Sequence, residues 1–270
     1  MARRSFVAFL TLFLLIDAVS AQPWRYGGGR RGGGRGGVPT WELEPNFRQD
    51  KFTFVRIEHS GRWQVDYPNA DLNISYRLEE LTSMKVDPEG LTMRLTDPRL
   101  GDYPFIFIID PRNLHFSDSE AEALRDYLLN GGFLMVDDFW GERQWESFTA
   151  QMRRVFPQRE PKALPLEHPI FNIVFPLSLK PQVPSEDSAH RARDSGTFST
   201  WEDEIYEPER PANYYGIHDD DGRMMVVLCH NTDLSDGWEE EGVSEYFFKT
   251  FSEKLSYPLG INIIIYALTH

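Results

Sequence analysis

The sequence predicts a three-layer α/β domain with a mostly parallel sheet and one antiparallel hairpin. Three observations carry that reading. Residues 105–109 are continuously apolar, as a strand buried on both faces of a parallel sheet must be. Ser117 followed by Glu120 has the spacing of a capping box, and Ala121, Leu124, Leu128 and Leu129 give the helix it opens an apolar stripe. Gly131-Gly132 then ends that helix and residues 133–136 repeat the apolar strand, so residues 103–145 read as one βαβ unit.

The remaining elements follow in order. Residues 52–59 (FTFVRIEH) alternate apolar and polar side chains and predict a first strand. Asn69 or Asp71 can cap a helix reaching about Met84, with Leu72, Tyr76, Leu78 and Leu81 along one side. A short strand is expected within residues 86–95, interrupted by Pro88 and Gly90. After the central unit, residues 142–156 predict a helix stopped by Pro157. Residues 157–212 are rich in proline and, over 185–209, in charge. They predict a long surface excursion, a lid or mobile insertion, with a short structured piece around 168–175. Residues 214–218 and 223–230 predict two strands joined by Asp219-Asp220-Asp221-Gly222 as a hairpin. A polar loop and a helix from about 243 to 255 come next. The last segment, 259–268 (LGINIIIYAL), is apolar nearly all round and predicts a helix packed across the core.

The first 48 residues stand apart from this pattern. Arg3 and Arg4 precede an apolar run at 6–16, and Val19 and Ala21 place small residues before Gln22, the arrangement of a cleaved secretory signal over 1–21. Residues 22–48 begin with a Gly/Arg tract too poor in apolar side chains to fold, read as a linker between the signal and a single domain at 49–270. An exported, periplasmic or extracellular protein without a stable membrane span is expected. With Cys229 as its only cysteine, an exported chain has no internal disulfide and must hold itself by packing. Of 28 basic and 42 acidic residues, six Arg and one Asp lie in residues 1–37, which leaves 22 against 41 and a net charge of −19 for the rest. A body that acidic repels nucleic acid, so nucleic-acid binding by the folded part is not expected.

Asp137 and Asp138 end the second apolar strand, where open α/β sheets bind their ligands. The Gly-Gly, strand, turn and helix around them resemble the context in which class I glutamine amidotransferase-like folds carry a Cys nucleophile. Here the turn reads Asp-Asp-Phe-Trp, and a carboxylate cannot replace a thiolate in thioester chemistry, so Cys-dependent amide hydrolysis is not expected. The pair could instead hold a hard cation or act as a general base. The structural alternative is that one caps the next helix and the other bonds the turn. Cys229-His230 suggests a dyad, but neighbours on a strand face opposite ways, and Cys229 reads as core. The loop NTDLSDGWEEE, 231–241, brings Asp233, Asp236 and three glutamates beside Trp238, without the spacing of an EF-hand loop. His168, in LPLEHPIF, either faces the cleft or is a hydrogen-bonded structural residue, and His115 is equally ambiguous.

As a set, several segments are specific: WQVDYPNADLN at 63–73, RLEELTSMKV at 77–86, LLNGGFLMVDDFWG at 128–141, MRRVFP at 152–157, LPLEHPIF at 164–171 and YPLGINIIIYALTH at 257–270. In these the chain resembles the bacterial domain-of-unknown-function family 4159. The resemblance implies a glutamine amidotransferase-like, flavodoxin-related fold akin to trehalose-utilisation proteins, and no established activity. The expected function is an exported, non-catalytic binding domain for a carbohydrate or a cell-envelope partner. Its cleft would be built from Asp110, Asp137, Asp138 and the 230–233 strand end with Asp233, walled by Trp140, His168 and Trp238 as exposed rings. The alternatives are a carboxylate-based or metal-assisted glycan hydrolase and an envelope scaffold with no small ligand. No cofactor is expected, apart from a divalent cation that the acidic cleft would suit.

Overall fold

A computed structural model describes residues 37–43, 50–202 and 205–270. The expected signal, 1–21, and most of the 22–48 linker lie outside the described residues. Trp41, assigned to the linker by sequence, belongs to the body: its indole Nε1 donates to the Val86 carbonyl at 2.9 Å and its ring lies 5.9 Å from Tyr76.

The apolar runs form the sheet as expected. Its strands are β1 (Val55–Ile57), β2 (Leu91–Met93), β3 (Phe105–Ile109), β4 (Phe133–Phe139), β5 (Lys162–Ala163), β6 (Asn213–His218) and β7 (Met224–His230). They lie in the order β2-β1-β3-β4-β7-β6-β5. The first five in that order are parallel, while β6 and β5 are antiparallel additions beyond β7. From β1 the chain goes out to β2 on one side and returns to β3 on the other. The winding therefore reverses between β1 and β3, and a crevice opens at their carboxyl ends.

Helices cover both faces, because the parallel strands are apolar on both. One face packs α2 (Asp118–Leu129) and α3 (Gly141–Val155), with Leu124, Leu128, Phe148 and Met152 on Ile106, Ile108, Leu134 and Val136. The other packs α1 (Asn69–Leu81) and the C-terminal α7 (Tyr257–Thr269), with Ile74, Leu78, Ile261 and Ile264 over Phe105, Phe107, Met135 and Val227. The capping box of α2 is formed in full by Ser117 and Glu120. Cys229 is buried on the α1/α7 side, and burial pushes its thiol well up, as expected of a core cysteine.

Four expectations need correction. In α1 the buried side is Ala70, Leu72, Ile74 and Leu78, while Leu81 is exposed and Tyr76 only partly covered; Asp71 does not cap the helix but turns inward. The charged stretch 185–209 holds a regular helix, α4 (Glu186–Ser195), capped by Ser185. The helix expected at 243–255 begins as α6 (Glu245–Phe247) and continues into α7 through a wider-turned stretch, Phe248–Ser256. A short α5 (Asp236–Glu239) forms in the acidic loop. Among the described residues no helix is long and apolar enough to cross a membrane.

Candidate functional site

Each parallel strand bordering the crevice ends in aspartates. The loop after β1 carries Asp66, β3 runs into Asp110, β4 carries Asp137 and Asp138 just before its last residue, and the loop after β7 carries Asp233 and Asp236. All six are less than a tenth exposed. Asp66, Asp110, Asp138 and Asn231 all have positive φ, between 42° and 61°, a region that short polar side chains tolerate better than most. At Asp138 this is a bulge: between the pairs Val136–Leu228 and Phe139–His230, two residues of β4, Asp137 and Asp138, oppose one of β7, Cys229.

Each carboxylate has a distinct set of partners. Asp110 is met by two guanidiniums, Arg62 Nη1 at 3.1 Å and Arg112 Nε. Asp138 accepts from Trp140 Nε1 at 3.1 Å, and Arg112 Nη2 stands 3.8 Å from its other oxygen. Asp137 Oδ2 accepts from the Ser235 amide at 2.9 Å, whereas its Oδ1 is buried without a partner. Asp233 Oδ1 holds its own turn, accepting from Ser235 Oγ and the Asp236 amide. Asp66 Oδ2 is likewise buried and unpartnered. Neither member of the Asp137-Asp138 pair caps α3; its first amides bond Asn231 Oδ1 and Glu207 Oε2 instead.

Asp66, Asp233 and Asp236 each bring an oxygen to within 4.8 Å of the other two. Asp236 also belongs to a second such trio with Glu239 and Glu240. The electrostatic consequence is large. Burial, reinforced by Asp138, pushes Asp137 well above the usual carboxylate range. Burial raises Asp233 and Asp236 in the same way, with the negative charges of Asp236 and Asp66, respectively, as the next largest cause. Asp138 is pushed up to about 8 by burial and Asp110, and Asp66 to about 7 by burial and Glu239. Carboxylates gathered this closely out of water must share protons or a cation.

The scaffold that fixes Asp66 escaped the sequence reading. Arg56 lies on β1 with no exposure, gives Nε and Nη2 to both oxygens of Asp71, and sends Nη1 to the Trp63 and Val65 carbonyls at 3.0 and 2.8 Å. It thereby ties the loop bearing Asp66 to the sheet. The Asp236 loop is held similarly: Asn73 donates to the Trp238 carbonyl at 2.7 Å, Ser256 Oγ donates to the Leu234 carbonyl, and Arg77 and Tyr257 bind Glu241. Close approach of this loop to the C-terminal helix needs Gly260, where a Cβ would lie 2.5 Å from the Trp238 ring. The one sign in the sequence that could have found Arg56 is a charged side chain at that position in a segment that forms a sheet strand covered on both faces, where an unpaired charge would be costly.

Of the residues expected at the cleft, Asp110, Asp137, Asp138 and Asp233 are brought together. Trp140 and Trp238 are not exposed walls. Trp238 is fully buried against Phe54 and Phe107, and Trp140 is 1% exposed and edge-on to Trp201. Packing beneath the loops overrides their acidic context. His168 lies at the other end of the sheet: its ring meets Tyr266, which in turn packs on Phe133 at the start of β4. His230 turns to the α3 side, against Phe139 and Trp145, with Nε2 on the Gly141 carbonyl. The aromatic pair on the crevice loop is Trp63 and Tyr67, 5.9 Å apart, with Tyr67 exposed.

Curated proteins give no match to the sequence. Residues 52–268, most of the chain and all of the sheet, match the family described as Domain of unknown function (DUF4159), and the protein belongs to that family.

Proposed function

We propose that the chain is an exported binding domain that holds a hard divalent cation at Asp66, Asp233 and Asp236 and takes a hydroxyl-rich ligand, such as a carbohydrate, over it. The observation that carries this reading is the buried trio with oxygens inside 4.8 Å, beside the unpartnered Oδ2 of Asp66 and Oδ1 of Asp137. Oxygens on opposite sides of a calcium ion bound at about 2.4 Å are about 4.8 Å apart, so such spacing suits one shared ion. Oxygen-only donors favour Ca²⁺, Mg²⁺ or Mn²⁺ over softer metals. Three protein oxygens leave coordination positions for ligand hydroxyls, and the exposed Tyr67 with Trp63 offers ring faces to a sugar. Export rests on the signal-like residues 1–21. The amidotransferase-like kinship belongs to the same proposal, supported by the reversal of strand order at β1/β3 and the tight turn after β4.

Isothermal titration of metal-stripped protein with each of the three cations near pH 7 tests the reading. Saturable binding with release of protons is expected, since cation and protons compete for the same carboxylates. No binding of any of them below about millimolar concentration, the weak end for extracellular calcium modules, would end it.

One observation favours a second reading, a cation-assisted glycan hydrolase. Asp138, at φ 55°, occupies a sharp strand-to-helix turn, the place that carries the nucleophile in elbow-type hydrolases. Turnover of a glycan by the wild type, lost in Asp138→Asn with cation binding intact, would establish it; no turnover across a glycan panel would dismiss it.

A further inference from the structure

Asp236 belongs to two groups of carboxylates at once, and the protein itself leaves its side chain unsatisfied. It is more than nine-tenths buried, and among the described residues neither of its oxygens accepts a hydrogen bond or meets a cationic side chain; only its backbone amide is used, by Asp233. Its carboxylate lies within 4.8 Å of oxygens of Asp66 and Asp233 and, in the second group, of Glu239 and Glu240. The second group is local. Asp236, Glu239 and Glu240 are residues i, i+3 and i+4 of one helical turn, α5 with its C-cap, and so share one face of it. The turn cannot swing away to relieve the repulsion. Its amides bond back to the Ser235 and Asp236 carbonyls, Trp238 is buried on Phe54 and Phe107, and Asn73 holds the Trp238 carbonyl. At Gly237 a Cβ would lie 2.4 Å from Ser256 Cβ, so the backbone is pressed against the C-terminal helical stretch. The two groups also adjoin through Asp66, whose Oδ2 is buried without a partner. After burial itself, Glu239 is the largest cause of the raised Asp66 carboxyl.

We propose that a second hard divalent cation binds at Asp236, Glu239 and Glu240, bridged to the first through the Asp236 carboxylate. This rests on the cation reading above. A carboxylate that accepts no hydrogen bond keeps both oxygens for metal, so Asp236 can serve an ion with each. Donors that are all oxygen select the same class of ion at both places. Paired cations in such sites stand about 3.5–4 Å apart and clamp oxygens of one ligand between them. Glu239 is only partly buried, whereas Asp233 is 6% exposed, so the second ion is the outer one and the one a ligand reaches first.

The test is Mn²⁺ titration of the metal-stripped full chain, followed by electron paramagnetic resonance of the loaded protein. Two ions per chain are expected, with the magnetic coupling of neighbouring Mn²⁺ ions in place of the spectrum of an isolated one. Glu239→Gln and Glu240→Gln keep the shape of each side chain and remove its charge. Each should weaken the second ion about tenfold or more. Together they should leave one ion per chain, with the isolated spectrum and the first ion still bound. One ion in the wild type, two ions without coupling, or a second ion that the double variant still holds would overturn the inference while leaving the cation reading standing. Absence of any Mn²⁺ binding would overturn both.

Discussion

Replacing Asp236 with Asn is expected to raise the melting temperature of the cation-free protein and to abolish its response to divalent cations. Asp236 is shared by both carboxylate trios and is 8% exposed, so its charge is repelled by every neighbour and little screened by water. The sign of the pH dependence follows from the raised carboxyl groups. Asp66 at about 7 and Asp138 at about 8 hold protons in the folded chain that the unfolded chain has already lost above its ordinary value near 3.8. Their contribution is fully present below about 3.8, and the cation-free wild type should lose stability as the pH rises through 7 and 8. Asp236→Asn removes one buried charge and should flatten that fall. A cation at about 100 times its dissociation constant adds about 2.7 kcal/mol to the wild type, worth roughly 5–10 °C in a chain of this size. Thermal unfolding of both proteins from pH 5 to 8.5, with and without Mn²⁺, measures all of this. A variant that melts lower than wild type without cation, or that responds to Mn²⁺ as wild type does, would contradict the account.

Arg56→Met should be the most destabilising single change at the site, by about 3–5 kcal/mol. It leaves the Asp71 carboxylate buried and unpaired and removes the donor from the Trp63 and Val65 carbonyls. Pairing it with Asp71→Leu takes away the orphaned charge and should recover much of the loss, as removal of whole buried ion pairs often does. It will not restore the two loop bonds that hold Asp66 in place. The double variant is therefore expected to fold and yet bind cation at least about tenfold more weakly than wild type. Urea denaturation gives the first quantity and Mn²⁺ titration the second. A single variant losing under about 1 kcal/mol, or a double variant binding cation normally, would show that Arg56 neither stabilises nor positions as argued.

The sheet and half of the site were legible because their signals are local. An apolar run such as Phe105–Ile109 can only be a doubly covered strand, and whatever follows it, here Asp110, falls at the carboxyl edge. The same reasoning placed Asp137, Asp138 and Asp233. Asp66 was missed because its strand, β1, is short and the loop after it is long, so that its meeting with the β7 loop is decided by Arg56 and Asp71 across the fold. The tryptophans failed for the opposite reason: their acidic neighbours suggested exposure, but the space for Trp238 is made by a glycine some twenty residues on, Gly260, and by Phe54, just before β1, and Phe107 of β3, which no local pattern reveals. The widened turn at Phe248–Ser256 was invisible too, since a 3.6-residue period is all that a stripe of apolar side chains encodes.

Anomalous scattering from crystals grown with Mn²⁺ would locate the bound cation itself. A strong peak is expected between Asp66, Asp233 and Asp236, within about 2.0–2.6 Å of an oxygen from each, as hard-cation coordination requires. No peak at that place in fully Mn²⁺-equilibrated crystals, or a peak bound only by surface carboxylates elsewhere, would contradict it.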